Sequence, residues 1–176
     1  MSDLFANSSI DQNLESPLAD KMRPQSLDEV IGQHHLLGEG APLQNMVSSG
    51  NFSSLILWGP PGVGKTTIAR LLADHSKSHF EQLSAIFTGV SDLKKVFETA
   101  KIRRTNGHKT IIFVDEIHRF NKSQQDSFLP FLEDGTITLI GATTENPSFE
   151  LNSAILSRVQ VLVLERLTNS NLENIF

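Results

Sequence analysis

Eight consecutive residues, Gly59-Pro60-Pro61-Gly62-Val63-Gly64-Lys65-Thr66, restrict the architectures open to this chain more than any other feature. They occupy every fixed position of the pattern G-x-x-x-x-G-K-[ST], after an apolar run from Ser54 to Trp58 and before a helical pattern that begins at Lys65. Glycines let a backbone curl around an anion so that successive N–H groups and the start of the following helix point at it. That geometry needs a strand on one side of the loop and a helix on the other, so the chain is expected to contain a sheet with helices packed on it.

The remaining pattern agrees. After the helix from Lys65 to about His75, the sequence predicts a strand near Phe80–Ile86 and a helix from about Asp92 to Arg103. A strand at Thr110–Asp115, a helix near Ser123–Glu133 and strands at Thr136–Thr143 and Val159–Leu164 complete the series. Strands that alternate with helices at this spacing give a mostly parallel five-stranded sheet covered on both faces, the α/β three-layer sandwich. Upstream, Ser26 with Glu29 three residues on has the form of a capping box opening a short helix that Gly32 ends, and PLQNMV predicts a second short helix ended at Gly50. The first 16 residues, rich in Ser, Asn and Asp, read as a flexible leader.

Composition narrows the function classes. A chain of 176 residues suffices for one α/β domain and little more. It has no cysteine, which excludes a disulfide framework and a thiolate zinc site. No apolar run approaches the roughly 20 residues that span a bilayer, and the acidic start lacks the pattern of a signal peptide, so a cytoplasmic protein without membrane contact is expected. The net charge of −5 offers no cationic surplus for a polyanion. Lys101, Arg103, Arg104 and Lys109, with Arg119 and Lys122 further on, form the nearest local clusters, and they read as solvated helix ends or loops.

The loop residues Gly59 to Thr66 would cradle phosphates through their backbone. Lys65 would reach the β- and γ-phosphates of ATP, Thr66 would give its hydroxyl to Mg²⁺, and Thr67 stands near the α-phosphate or serves the helix. Downstream, the apolar strand IIFV ends in Asp115 and Glu116. Asp115 is the candidate for holding Mg²⁺, directly or through its water shell, and Glu116 for orienting and polarising an attacking water. Thr143 and Thr144 follow another strand, where a hydroxyl could reach the γ-phosphate, and Thr144 is the first choice. His75 and His79 have the i, i+4 spacing of two helical metal ligands, but no third ligand suggests itself and a helix carboxyl end explains them better. His118 reads as a positioned loop residue and Phe120 as packing.

Together, GPPGVGKT, IIFVDEIHRF, GATTENPSF and LNSAILSRV resemble the AAA+ ATPases of the clamp-loader branch. HRFNKSQQD and TTENPSFELN are more specific, and from about Leu18 to Leu167 the chain is similar to the replication-associated recombination protein A family, whose eukaryotic relatives include the Werner helicase-interacting protein. The resemblance implies a P-loop NTPase core over residues 17–166, with ATP and Mg²⁺ as ligands. It assigns Met22-Arg23-Pro24 and Val30-Ile31-Gly32-Gln33 to the segment around adenine and ribose, largely through backbone and apolar contacts, Thr144 to sensing the γ-phosphate, and Arg158 to a neighbouring subunit's ATP site. That last role implies a homo-oligomer with head-to-tail interfaces. DNA as regulator, action in replication, recombination and repair at stalled forks, replication-fork proteins as partners and a location in the bacterial cytosol or nucleoid are further implications. A nucleotide-gated recruiting subunit, like a clamp loader or a Holliday-junction motor, is the alternative. Such ATPases continue into a helical lid, of which residues 167–176, with Leu167, Leu172, Ile175 and Phe176, match only the start, so a fragment with most of its lid missing is expected.

Overall fold

The computed structural model describes residues 21–173. The expected leader, and Ile175 and Phe176 of the expected lid, lie outside the described residues. Five strands, β1 (Leu55–Trp58), β2 (His79–Ser84), β3 (Thr110–Asp115), β4 (Thr138–Thr143) and β5 (Gln160–Val163), form one sheet in the order β2-β3-β4-β1-β5. Every pairing is parallel. The expected α/β sandwich with five strands is therefore the observed fold, with strand ends shifted by one or two residues.

Among the described residues the α-helices are α1 (His34–Leu37), α2 (Pro42–Ser49), α3 (Lys65–Ser76), α4 (Val90–Thr105), α5 (Lys122–Ser127), α6 (Leu129–Glu133), α7 (Pro147–Glu150), α8 (Ser153–Leu156) and α9 (Asn169–Glu173). Alternation along the strands divides the core in two. Leu55, Leu57, Phe113, Ile140 and Leu162 face α2 and α3, packing with Leu43, Met46, Ile68 and Leu72. Ile56, Ile112, Val114 and Leu139 face the other layer, packing with Leu93, Phe97, Phe128 and Ile155. Burial on both faces is why the central strands β3, β4 and β1 read as apolar runs rather than as an alternating pattern, whereas the edge strands β2 and β5 are partly exposed. It also fixes the register, since a slip of one residue would exchange the two cores.

Three local expectations are corrected. Ser26 makes no side-chain cap, and the element it precedes is a single 3₁₀ turn, Leu27–Glu29. The Glu29 carboxylate instead accepts the N–H of Gln25 at 2.8 Å, and Val30 is already extended. The helix expected over Ser123–Glu133 is broken at Phe128 into α5 and α6, because Pro130 cannot donate to the first segment and starts a second. His75 lies in the last turn of α3 but His79 opens β2, after a left-handed residue at Lys77, so the pair does not share a helix face.

The order of strands makes β1 a switch point. From β1 the chain crosses to β2 at the far edge, returns through β3 and β4, and passes over β1 to β5. In open α/β sheets the crevice beyond the carboxyl ends of the strands at such a point is where ligands bind. The loop Gly59–Gly64 lies there.

Candidate nucleotide-binding site

Gly59 leaves β1 between two neighbouring strands. Its N–H donates to Thr143 O at 3.1 Å, and a Cβ on it would lie 2.7 Å from Leu164 O, so only glycine fits without a shift. Gly62 and Gly64 have φ of +78° and +99° with open space around them. There the backbone conformation, not crowding, calls for glycine. Gly64 hands the chain to α3, and the Lys65 ammonium folds back to donate to Gly59 O and Pro60 O, each at 2.7 Å. Burial pulls the Lys65 pKa down, opposed by the nearby Asp115 and Glu116 carboxylates, which favour its charged form.

The acidic side is set by β3. Thr110 to Val114 are buried, and Asp115 is the first residue of the strand to emerge. Glu116 then adopts a left-handed conformation, φ +54° and ψ +44°, unusual for a residue with a side chain. Its Oε2 lies 3.6 Å from Arg119 Nε and 3.7 Å from His118 Nε2. His118 Nδ1 is 2.8 Å from Thr143 Oγ1, and the same Thr143 oxygen accepts the N–H of Glu145 at 3.0 Å. Thr143 is thus buried and committed, whereas Thr144 is exposed.

These groups meet in one cleft of about 640 Å³, lined by Pro61, Gly62, Gly64, Lys65, Thr66, Thr67, Asp115, Glu116, Thr143, Thr144 and Arg23. A second lobe of about 240 Å³ adjoins it through Gly62, Gly64 and Thr67, with Met22, Pro24, Val30, Ile31, Val63 and Leu167 on its walls. Arg23, grouped with the adenine segment on sequence grounds, therefore stands on the side of Lys65 and Asp115, apart from Pro24, Val30 and Ile31. Gly59 and Pro60 contribute as acceptors for Lys65 rather than as walls. The donor set fits a triphosphate with a divalent cation: open left-handed glycines, one ammonium, a hydroxyl at Thr66 and a carboxylate at Asp115.

Arg158 is not in this cleft. It precedes β5, whose Gln160 pairs with Leu55 at the start of β1, so Arg158 and the loop after Trp58 lie at opposite ends of the same strands. Four residues at about 3.3 Å each separate those ends by roughly 13 Å. The guanidinium donates to Ala154 O at 2.7 Å and pairs with Glu133, beside a separate hollow of about 540 Å³ at the amino end of the sheet.

Sequence reasoning missed several supporting contacts, including those of Gly32 and Gln33, which the resemblance places in the adenine segment. Gln33 is buried and bonds Glu165 twice, its amide donating to the carbonyl at 2.9 Å and its oxygen accepting the N–H at 3.0 Å, which ties the apolar lobe to the end of β5. Leu167 and Asn171 stand so close to Gly32 that a Cβ there would lie 2.6 Å from Leu167 Cδ2. Gln125 bridges Phe120 O, Glu150 O and the Asn152 N–H. A glutamine carries no periodic signal, so nothing along the sequence marks these. Phe120, expected to pack, is in the core against Phe128. Among the basic residues, Arg103 pairs with Glu81 at 2.8 Å, Arg104 with Asp134 at 3.6 Å and Lys101 with Glu98 at 3.3 Å.

The pattern of the ATPase family associated with various cellular activities (AAA) matches residues 55–167, which include the loop, both carboxylates and Arg158. The chain belongs to the AAA family. The chain is 52% identical over 173 residues to Replication-associated recombination protein A of Escherichia coli K12, a match over 97% of the chain and 39% of that relative. It is 50% identical over 160 residues to the ATPase WRNIP1 of Dictyostelium discoideum, covering 91% of the chain and 18% of the relative. The chain thus spans about two-fifths of the first relative's length and less than a fifth of the second's. Among solved structures, the Thermotoga maritima RuvB Holliday junction branch migration motor superposes with a TM-score of 0.72 at 31% identity, over 88% of this chain and 52% of that one. The AAA domain is therefore a nucleotide-binding ATPase fold of the kind these relatives share.

Proposed function

We propose that this AAA domain binds ATP with Mg²⁺ in the cleft beyond β1, β3 and β4 and hydrolyses it to ADP and phosphate, as the motor core of a protein that acts on DNA in replication and recombination. The observation that carries the reading is the convergence, from three strands, of Lys65, Thr66, Asp115, Glu116 and Thr144 on one cleft. Lys65 must exchange its two loop carbonyls for the phosphates, a substitution favoured because the phosphate oxygens carry the opposite charge and the neutral carbonyls do not. The curled backbone from Gly62 to Lys65 and the start of α3 hold the anion. Thr66 and Asp115 hold the cation, which when bound neutralises charge on the transferred phosphoryl group. Glu116 orients the attacking water and takes up its proton, and Thr144 meets the γ-phosphate. The Pro24, Val30, Ile31 and Leu167 lobe takes the base by apolar contact.

Arg158 acts on a neighbour. Its place across the sheet from its own cleft supports a role in trans, in a head-to-tail homo-oligomer where a guanidinium stabilises the charge that develops on the next subunit's γ-phosphate. The link to DNA rests on the names of the relatives, replication-associated recombination protein and branch migration motor, and not on surface charge. Phosphate release followed with forked DNA, with blunt duplex and without DNA tests the reading. Turnover that rises with forked DNA is expected, and turnover indifferent to DNA would leave a nucleotide-gated recruiting subunit as the better account.

A further inference from the structure

Behind Glu116 stands a partly buried histidine to which none of these steps gives a role. The His118 side chain is 9% exposed, and each ring nitrogen faces a different strand end: Nδ1 lies 2.8 Å from Oγ1 of Thr143, the last residue of β4, and Nε2 lies 3.7 Å from Oε2 of Glu116, just after β3. The turn that carries it is seated on β4, since a Cβ on Gly141 would come within 2.9 Å of Ile117 Cδ1.

The hydrogen-bond balance at Thr143 and the Glu116 carboxylate together select a tautomer. Its oxygen already receives the Glu145 N–H at 3.0 Å, and its single hydroxyl proton has two acceptors within reach, His118 Nδ1 at 2.8 Å and Glu145 O at 3.2 Å. If the proton goes to Glu145 O, Nδ1 must carry the ring hydrogen, and the Nε2 lone pair then faces a carboxylate. If it goes along the shorter contact to Nδ1, the ring hydrogen sits on Nε2 and points at Glu116, which leaves attraction in place of repulsion.

We propose that His118 is a positioning residue: Thr143 fixes it as the Nε2–H tautomer, and it aims the Glu116 carboxylate, which joins the end of β4 to the end of β3. At 3.7 Å the contact to Glu116 is electrostatic in the resting domain, with Arg119 flanking the same oxygen at 3.6 Å. Closure to hydrogen-bond distance accompanies the catalytic state. Displacement of Thr144 by a γ-phosphate then reaches the glutamate through its neighbour Thr143. The inference rests on the ATPase reading.

Nitrogen-15 spectra of histidine-labelled protein report the tautomer without any turnover. The expected His118 signal, assigned by its loss in His118→Gln, is Nε2–H; Thr143→Val should release it to a mixture, and Glu116→Gln should shift Nε2. An Nδ1–H ring in the unsubstituted protein overturns the proposal. In phosphate release, His118→Gln, which keeps an N–H near the Nε2 position, should stay within about tenfold of the unsubstituted protein. His118→Asn, which keeps only the Thr143 contact, should lose about a hundredfold in kcat with nucleotide affinity unchanged. Equal losses in the two variants, or losses mirrored in affinity, overturn it as well. Lys65→Ala binding nucleotide normally would instead sink the ATPase reading while the tautomer result stood.

Discussion

Gly59→Ala loads the junction of β1 and its loop in a way that substitution of the other loop glycines does not. The new Cβ would sit 2.7 Å from Leu164 O and 3.0 Å from Leu164 Cβ, against a strand end held by the Leu164 N–H to Trp58 O bond of 2.7 Å. Backbone cannot rotate away as a side-chain tip can, so β5 or the loop must move. Overpacking of this kind costs about 1–3 kcal/mol, and weakening the ladder bond adds up to about 1 kcal/mol. The smaller freedom of alanine in the unfolded chain returns about 0.4–1 kcal/mol. The net is about 2 kcal/mol of lost stability, which for a domain of this size lowers Tm by roughly 4–8 °C. Thermal melting followed by circular dichroism measures it, and amide hydrogen exchange at Leu164 should accelerate in parallel. Gly62→Ala, with open space around it, costs about 1–2 kcal/mol of backbone strain and leaves Leu164 exchange unchanged. A Gly59→Ala domain with the same melting curve as the unsubstituted one, and with Leu164 equally protected, would refute the reasoning.

Arg158→Ala should leave nucleotide affinity within about twofold yet lower turnover of the assembled protein by roughly a thousandfold, and mixing it with Glu116→Gln subunits should restore part of the phosphate release. Gln125→Ala strands buried groups at Phe120, Glu150 and Asn152, and should lower the unfolding free energy by about 2–4 kcal/mol with an unchanged urea m-value. Because burial lowers the Lys65 pKa, the unfolded chain holds that proton more tightly than the folded one. Stability should therefore gain with rising pH between the folded Lys65 pKa and the ordinary lysine range, and Lys65→Met should flatten that gain in pH-dependent melts.

The fold is legible in the sequence because the three central strands are buried on both faces. Runs such as IIFV and LIG, set at regular spacing between helical patterns, leave a parallel sheet as the simplest solution, and the observed order places them as one. The loop is legible because Gly62 and Gly64 answer to backbone conformation, which is a local property. What escapes is what depends on contacts distant in sequence. Gln33 meets Glu165, 132 residues away, and His118 meets Thr143, 25 away, and neither pairing leaves a trace in composition or period. The Ser26 pattern misleads because Val30 is drawn out to the wall of the apolar lobe before a second helical turn can form. A true capping box, Asn121 with Gln124, opens α5 about two turns before Phe128, ahead of the start near Ser123 that the pattern suggests.

Titration with a fluorescent ATP analogue and Mg²⁺, with Lys65→Ala alongside, tests the central claim most directly. Saturable binding to the unsubstituted chain, lost in Lys65→Ala while its melting curve shows an intact fold, is the predicted result. Equal binding by the two, or none by either, would contradict a nucleotide site at Gly59 to Thr66.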